Sequence, residues 1–153
     1  MNNIFIKGFL TVYLILGGLW FRSSLGKISG GKFADTLGDL LIKISQNNPY
    51  PYFKSFLQNV AIPNSKLFGN LTMWGEFLTA VAITLGSAYL IFYKGDQRLG
   101  LVVLILGLLG GMFLNLIFWL GFGYSNVSTD SLNLLMFLIE LVGVIVLMLF
   151  HSS

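Results

Sequence analysis

Four apolar runs, each close to the roughly twenty residues needed to cross a hydrocarbon layer, take up most of this 153-residue chain. They lie at about Ile4–Phe21, Leu71–Tyr93, Leu99–Tyr124 and Leu132–Phe150. Only 10% of the residues are charged, against about 25% in an average soluble domain, too few to cover a surface for water. The first run is too long for a cleavable signal peptide and has no small-residue cleavage site. The expectation is an all-α integral membrane four-helix bundle, one domain over residues 1–153.

The connections between the runs are unequal. Lys94–Arg98 and Ser125–Ser131 are short, whereas Ser23 to Asn70 is long enough to carry structure of its own. Within it, Phe33, Leu37, Leu40, Leu41 and Ile44 share one helical face, with Asp35, Asp39 and Lys43 opposite. Asn47-Asn48-Pro49-Tyr50-Pro51 ends that segment. A second amphipathic piece carries Phe53, Phe56, Leu57 and Val60, and stops near Pro63. The segment of about 32–62 therefore reads as interfacial helices lying flat over the bundle, or equally as two surface helices packed on each other.

Several chemistries are excluded by what the chain lacks. It has no cysteine and one histidine, His151, so no thiolate nucleophile, thiolate zinc site or iron–sulfur cluster is available. One imidazole does not make a haem or copper site, so no metal or haem is expected on this chain alone. The basic residues are spread along membrane edges and loops, which argues against nucleic acid as a partner.

Polar residues inside the spans are the candidates for function. An ionisable group at mid-membrane costs at least about 2.5–3.5 kcal/mol, so it normally faces the bundle interior and has a partner. The second span holds Glu76, the third Asn115, and the fourth Asn133 and Glu140. With the spans drawn above, Glu76 lies roughly 8 Å, and Asn115 and Glu140 roughly 13 Å, below the surface that carries the long loop. Arg22 and Lys27 close the first span at that surface. They read as membrane-edge anchors or as the positive wall of an anion site. The expectation is one polar pocket open toward the long loop. Trp20, Trp74 and Trp119 lie near the same surface and read as belt anchors. Gly107 with Gly111, and Ala82 with Gly86, are small-xxx-small pairs suited to close helix packing.

The runs Arg22-Ser23-Ser24-Leu25-Gly26-Lys27, Asn48-Pro49-Tyr50-Pro51-Tyr52-Phe53-Lys54-Ser55-Phe56-Leu57 and Trp74-Gly75-Glu76-Phe77-Leu78-Thr79, with Leu85-Gly86, resemble the DoxD/DoxX family. The resemblance covers about Gly17 to Gly86 and the four-span layout. It is nearest to the four-helix membrane subunit of a thiosulfate:quinone oxidoreductase of sulfur-oxidising archaea. The glycine-rich ending of many members, Gly-x-Gly-Arg and an aspartate after the fourth helix, is absent here.

That resemblance implies a respiratory electron-transport role in which a sulfur anion such as thiosulfate passes electrons to membrane quinone. Arg22, Lys27 and Lys32 would meet the anion, and Glu76 or Glu140 would relay protons. Trp74, Asn115 or Tyr124 would contact the quinone ring. The partners implied are membrane lipids, quinone and a second small membrane subunit. The alternative from another class is a non-catalytic accessory or assembly subunit of a larger respiratory complex, such as a terminal quinol oxidase. A lipid-binding or carrier bundle is a third reading.

Orientation is read both ways. Six cations lie on the long-loop side, namely Arg22, Lys27, Lys32, Lys43, Lys54 and Lys66, against Lys7, Lys94 and Arg98 opposite. This puts the long loop inside. The sequons Asn70-Leu71-Thr72 and Asn126-Val127-Ser128 argue the reverse. The family resemblance favours a plasma-membrane protein with cytoplasmic termini.

Overall fold

The computed structural model describes residues 4–152, with the side chains of 150–152, that of His151 among them, outside the description. Six α-helices account for most of it: α1 (Ile4–Gly30), α2 (Phe33–Asn47), α3 (Pro51–Phe56), α4 (Ser65–Phe92), α5 (Arg98–Phe122) and α6 (Val127–Ser152). A π-helical turn, Leu57–Ala61, extends α3, and a 3-10 turn, Gly123–Ser125, precedes α6. No strand occurs among the described residues. Helices α1, α4, α5 and α6 are each long and apolar enough to cross a membrane.

The four long helices run up, down, up and down, with α4 packed between α1 and α5, and α5 packed on α6. The ring is closed across α1 and α6 by side chains, because Tyr13 Oη donates to the Ile139 carbonyl at 3.1 Å. Leu10, Tyr13, Leu16 and Trp20 of α1 join Ala80, Ile83, Leu104, Leu108, Val144 and Leu147 in one buried core. The small-residue pairs are spent inside this core. A Cβ on Gly86 would lie 2.6 Å from the Leu104 nitrogen, and one on Gly107 would lie 2.8 Å from the Ile83 nitrogen. Glycine at these two sites lets α4 and α5 approach backbone to backbone.

Helix ends depart from the apolar boundaries. α1 continues past Phe21 to Gly30, and α4 begins at Ser65 rather than Leu71. Hydropathy falls at Arg22 and at Lys66, but helical hydrogen bonding does not. At 1.5 Å per residue, Glu76 lies about 16 Å below the start of α4, twice the depth expected from the apolar run. The first turns of α4 therefore project beyond the end of α1, and α2 packs on that projection. Its close seat is Ala34 against Gly69, where an added Cβ would lie 2.6 Å from the Ala34 Cα.

The turn between α1 and α2 needs Gly31, whose φ of 65° is unfavourable for side-chain-bearing residues. Leu37, Leu41 and Ile44 of α2 turn inward and meet Phe53, Leu57 and Ala61 in a second, smaller core. Asn48 ends α2: its Oδ1 accepts from the Tyr50 amide at 3.0 Å, while its Nδ2 donates to the Leu120 carbonyl at 2.9 Å. Pro51 then opens α3 at its first turn. The amphipathic segment is thus two helical pieces packed on each other and on α4, forming a roof over one end of the long helices.

Candidate functional site

A cavity of about 450 Å³ lies beneath that roof. Its walls are mainly apolar, drawn from Leu37, Leu41 and Ile44 of α2, Phe53 and Leu57 beyond it, and Phe118 of α5. Two polar stretches interrupt the apolar lining: Ser23, Lys27 and Glu76 on α1 and α4, and Ser128, Thr129 and Asn133 at the start of α6.

The first stretch is a closed network. Lys27 Nζ donates to both carboxylate oxygens of Glu76, at 2.5 and 2.6 Å, and to Ser23 Oγ at 3.0 Å. Ser23 Oγ in turn donates to Glu76 Oε2 at 2.9 Å. An ammonium has three hydrogens, and all three are engaged by this chain. The Glu76 side chain is wholly buried and that of Lys27 is 24% exposed. Phe33 and Phe118 flank the ammonium with ring centroids 5.3 and 5.7 Å away, close enough for cation–π attraction. The group presents little net charge to the cavity.

Asn133 differs, being 9% exposed and part of the cavity wall. One amide hydrogen goes to the Thr129 carbonyl at 2.8 Å. The second amide hydrogen and the side-chain carbonyl have no partner among the described residues, leaving a donor and an acceptor for an occupant.

A second polar node lies deeper. Glu140 is wholly buried, with Oε1 accepting from Trp20 Nε1 and Oε2 from Asn115 Nδ2, each at 2.9 Å. No cation pairs with it among the described residues. Gly111 makes its room, since a Cβ there would overlap the carboxylate.

The expected single pocket is therefore divided. Lys27 and Glu76 line the cavity, whereas Glu140 and Asn115 do not and instead bind each other in the bundle core. Arg22 is exposed and is not among the residues that line the cavity. Lys32 is likewise exposed, beside the start of α2. Trp74 is 51% exposed and packs edge-on to Phe77, away from the cavity. Tyr124 donates to the Ile44 carbonyl at 2.8 Å and ties the roof to the end of α5.

Trp20, expected in an interfacial belt, is 3% exposed and serves Glu140. Trp119, expected there too, donates to Asp130 at 2.6 Å. Two signals for the missed roles were present in the sequence. Trp20 is seven residues from both Tyr13 and Lys27, and Asn133 is seven before Glu140, so each set shares a helix face.

Among the described residues, fold and site together define an all-helical protein with four helices of membrane-crossing length, a roofed apolar cavity and two separate polar nodes. No family model, no curated protein and no solved structure matches the chain.

Proposed function

We propose that this chain is a multi-pass integral membrane protein of DoxD/DoxX type, with α2 and α3 at the membrane interface. On this reading it is the quinone-binding subunit of a respiratory oxidoreductase, seated in the plasma membrane. The observation that carries the proposal is the roofed cavity, with an apolar body, a spare amide at Asn133 and a charge-neutral Lys27–Glu76 wall. Such a lining suits a neutral ring with carbonyl oxygens and an apolar tail. The ring would lie among Leu41, Phe53 and Phe118, and one carbonyl would accept from Asn133.

The same features argue against a free sulfur anion in this cavity. A dianion such as thiosulfate needs uncompensated cations or several free donors. Here Glu76 takes the charge of Lys27, and Arg22 does not line the cavity. On this reading, oxidation of a sulfur anion, which the resemblance implies, takes place outside this cavity. The accessory-subunit reading is less supported, because Gly86 and Gly107 are already packed between α4 and α5 and Gly111 against Glu140 of α6.

The test is binding of decyl-ubiquinone to the purified chain in lipid nanodiscs, for wild type and for Ala61→Trp. Ala61 is 2% exposed and lines the cavity, so an indole there fills it. Saturable binding lost in a folded Ala61→Trp protein supports the reading. Binding unaffected by the substitution, or no binding to wild type, refutes it.

A further inference from the structure

The cavity reaches the outside of the molecule on one flank. Of its lining residues, Leu132 on α6 is 54% exposed and Leu40 on α2 is 39% exposed. Ser128, Ser23 and Phe56, which line the same cavity, are also exposed. A residue that both lines a cavity and is open to the exterior marks a mouth. Phe56, on α3, is packed edge-on against Phe68 of α4, and the other four come from the upper part of α1, from α2 and from the start of α6. α2 packs on α4, and no comparable packing joins it to α6 among the described residues. The roof is therefore fastened to α4 by packing and to the end of α5 by the Asn48 and Tyr124 bonds, with no such tie to α6 among the described residues.

The rim is amphiphilic. Leu40 and Leu132 make its apolar edges, and Ser128 stands one turn above Leu132. Asn133 follows Leu132 directly, so the amide with spare hydrogen-bonding capacity lies just inside the mouth. Leu132 lies eight residues above Glu140, about 12 Å along α6, and the Trp20–Glu140 bond fixes that node in the bundle core. In a bundle spanning a bilayer, Leu132 at this height would meet acyl chains, while Ser128, at the start of α6, would lie toward the interface.

We infer that the cavity is loaded sideways from the bilayer, through a portal between α2 and α6 rimmed by Leu40 and Leu132, so that its ligand is a membrane-dissolved amphiphile that enters polar head first. The inference rests on the membrane reading above and adds the route and the source of the ligand. A polar head passes the serines and reaches Asn133, while the apolar tail stays in the gap or trails into lipid. A water-soluble substrate would gain nothing from the exposed leucines at the rim.

The chain has no cysteine, which permits a clean cross-linking test. Leu40→Cys/Leu132→Cys protein, reconstituted in liposomes, is bridged with bis-methanethiosulfonate linkers of increasing span and released with dithiothreitol. Two probes are dissolved in separate liposomes: decyl-ubiquinone, and deuterated oleic acid as an amphiphile unrelated to quinone. The probe recovered with re-isolated protein is measured by mass spectrometry. The expected result is loss of loading on bridging and full return on reduction.

Unchanged loading in the bridged protein overturns the portal, and so does a pair that no linker spans. Loading of oleate alone, blocked by the bridge, upholds the portal while removing the quinone assignment. Failure of both probes to load the open protein overturns both proposals.

Discussion

Trp20 and Glu140 are joined across the seam between the first and last helices by a 2.9 Å hydrogen bond, both of them buried. Asn115 completes the node from α5, so three helices meet at one carboxylate with no cation among the described residues. The node closes the ring of helices that α4 and α5 alone would leave open.

Removing one donor exposes the cost of that arrangement. Trp20→Phe keeps most of the apolar contact and leaves Glu140 Oε1 without its partner. An unsatisfied buried polar group costs about 1–3 kcal/mol, more where it is charged. We expect a lowered thermal midpoint in detergent, with smaller loss when Glu140→Gln is combined with it. Equal losses in the single and double variants would contradict a bonded pair.

The Lys27–Glu76 pair behaves differently, because it links two helices by charge. Lys27→Met leaves a wholly buried carboxylate uncompensated, and breaking such a pair costs about 3–5 kcal/mol. Part of the Lys27 side chain is exposed, so the loss should fall toward the lower end of that range. Lys27→Met/Glu76→Gln should recover most of it. A double variant as unstable as Lys27→Met alone, in chemical denaturation of the micelle-bound protein, would rule out the charge explanation.

Glycines divide by what lies opposite them. Gly86→Leu drives a side chain into the Leu104 backbone, and Gly107→Leu drives one into the Ile83 backbone. Overpacking of this kind costs about 1–3 kcal/mol and often more. Gly18→Leu meets nothing within 4 Å and should be tolerated. The check is the monodisperse yield on size-exclusion chromatography, with Gly18→Leu near wild type and the other two reduced. Equal yields would contradict the close α4–α5 approach.

Much of the architecture was legible in the residues. The four long helices follow from uninterrupted apolar runs, and the roof follows from the 3.6-residue spacing of Leu37, Leu41 and Ile44. Helix ends were not legible, because Arg22 to Gly30 and Ser65 to Asn70 are polar yet remain helical. Hydropathy records where a helix stops being apolar, not where it stops. The site was half legible for a related reason. Glu76, Glu140, Asn115 and Lys27 stood out as polar groups in apolar surroundings, but which helix face each occupies depends on packing. That packing separates Glu140 from the cavity, turns Arg22 and Trp74 outward, and brings Trp20 and Asn133 inward.

The roof ties make a separate prediction. Tyr124→Phe removes the bond to the Ile44 carbonyl, worth about 0.5–1.5 kcal/mol, without touching the four-helix core. Amide hydrogen exchange should quicken in residues 41–48 and stay unchanged in α1 and α5. Exchange that rises throughout the chain would contradict an independently fastened roof.

The central claim is that the cavity holds a quinone, and native mass spectrometry of the chain released from gently extracted membranes tests it most directly. Wild type should carry one quinone-sized adduct per chain, identified by fragmentation, and Ala61→Trp should carry none. A bare wild-type chain, or an adduct set of ordinary phospholipids identical in both proteins, would contradict the account.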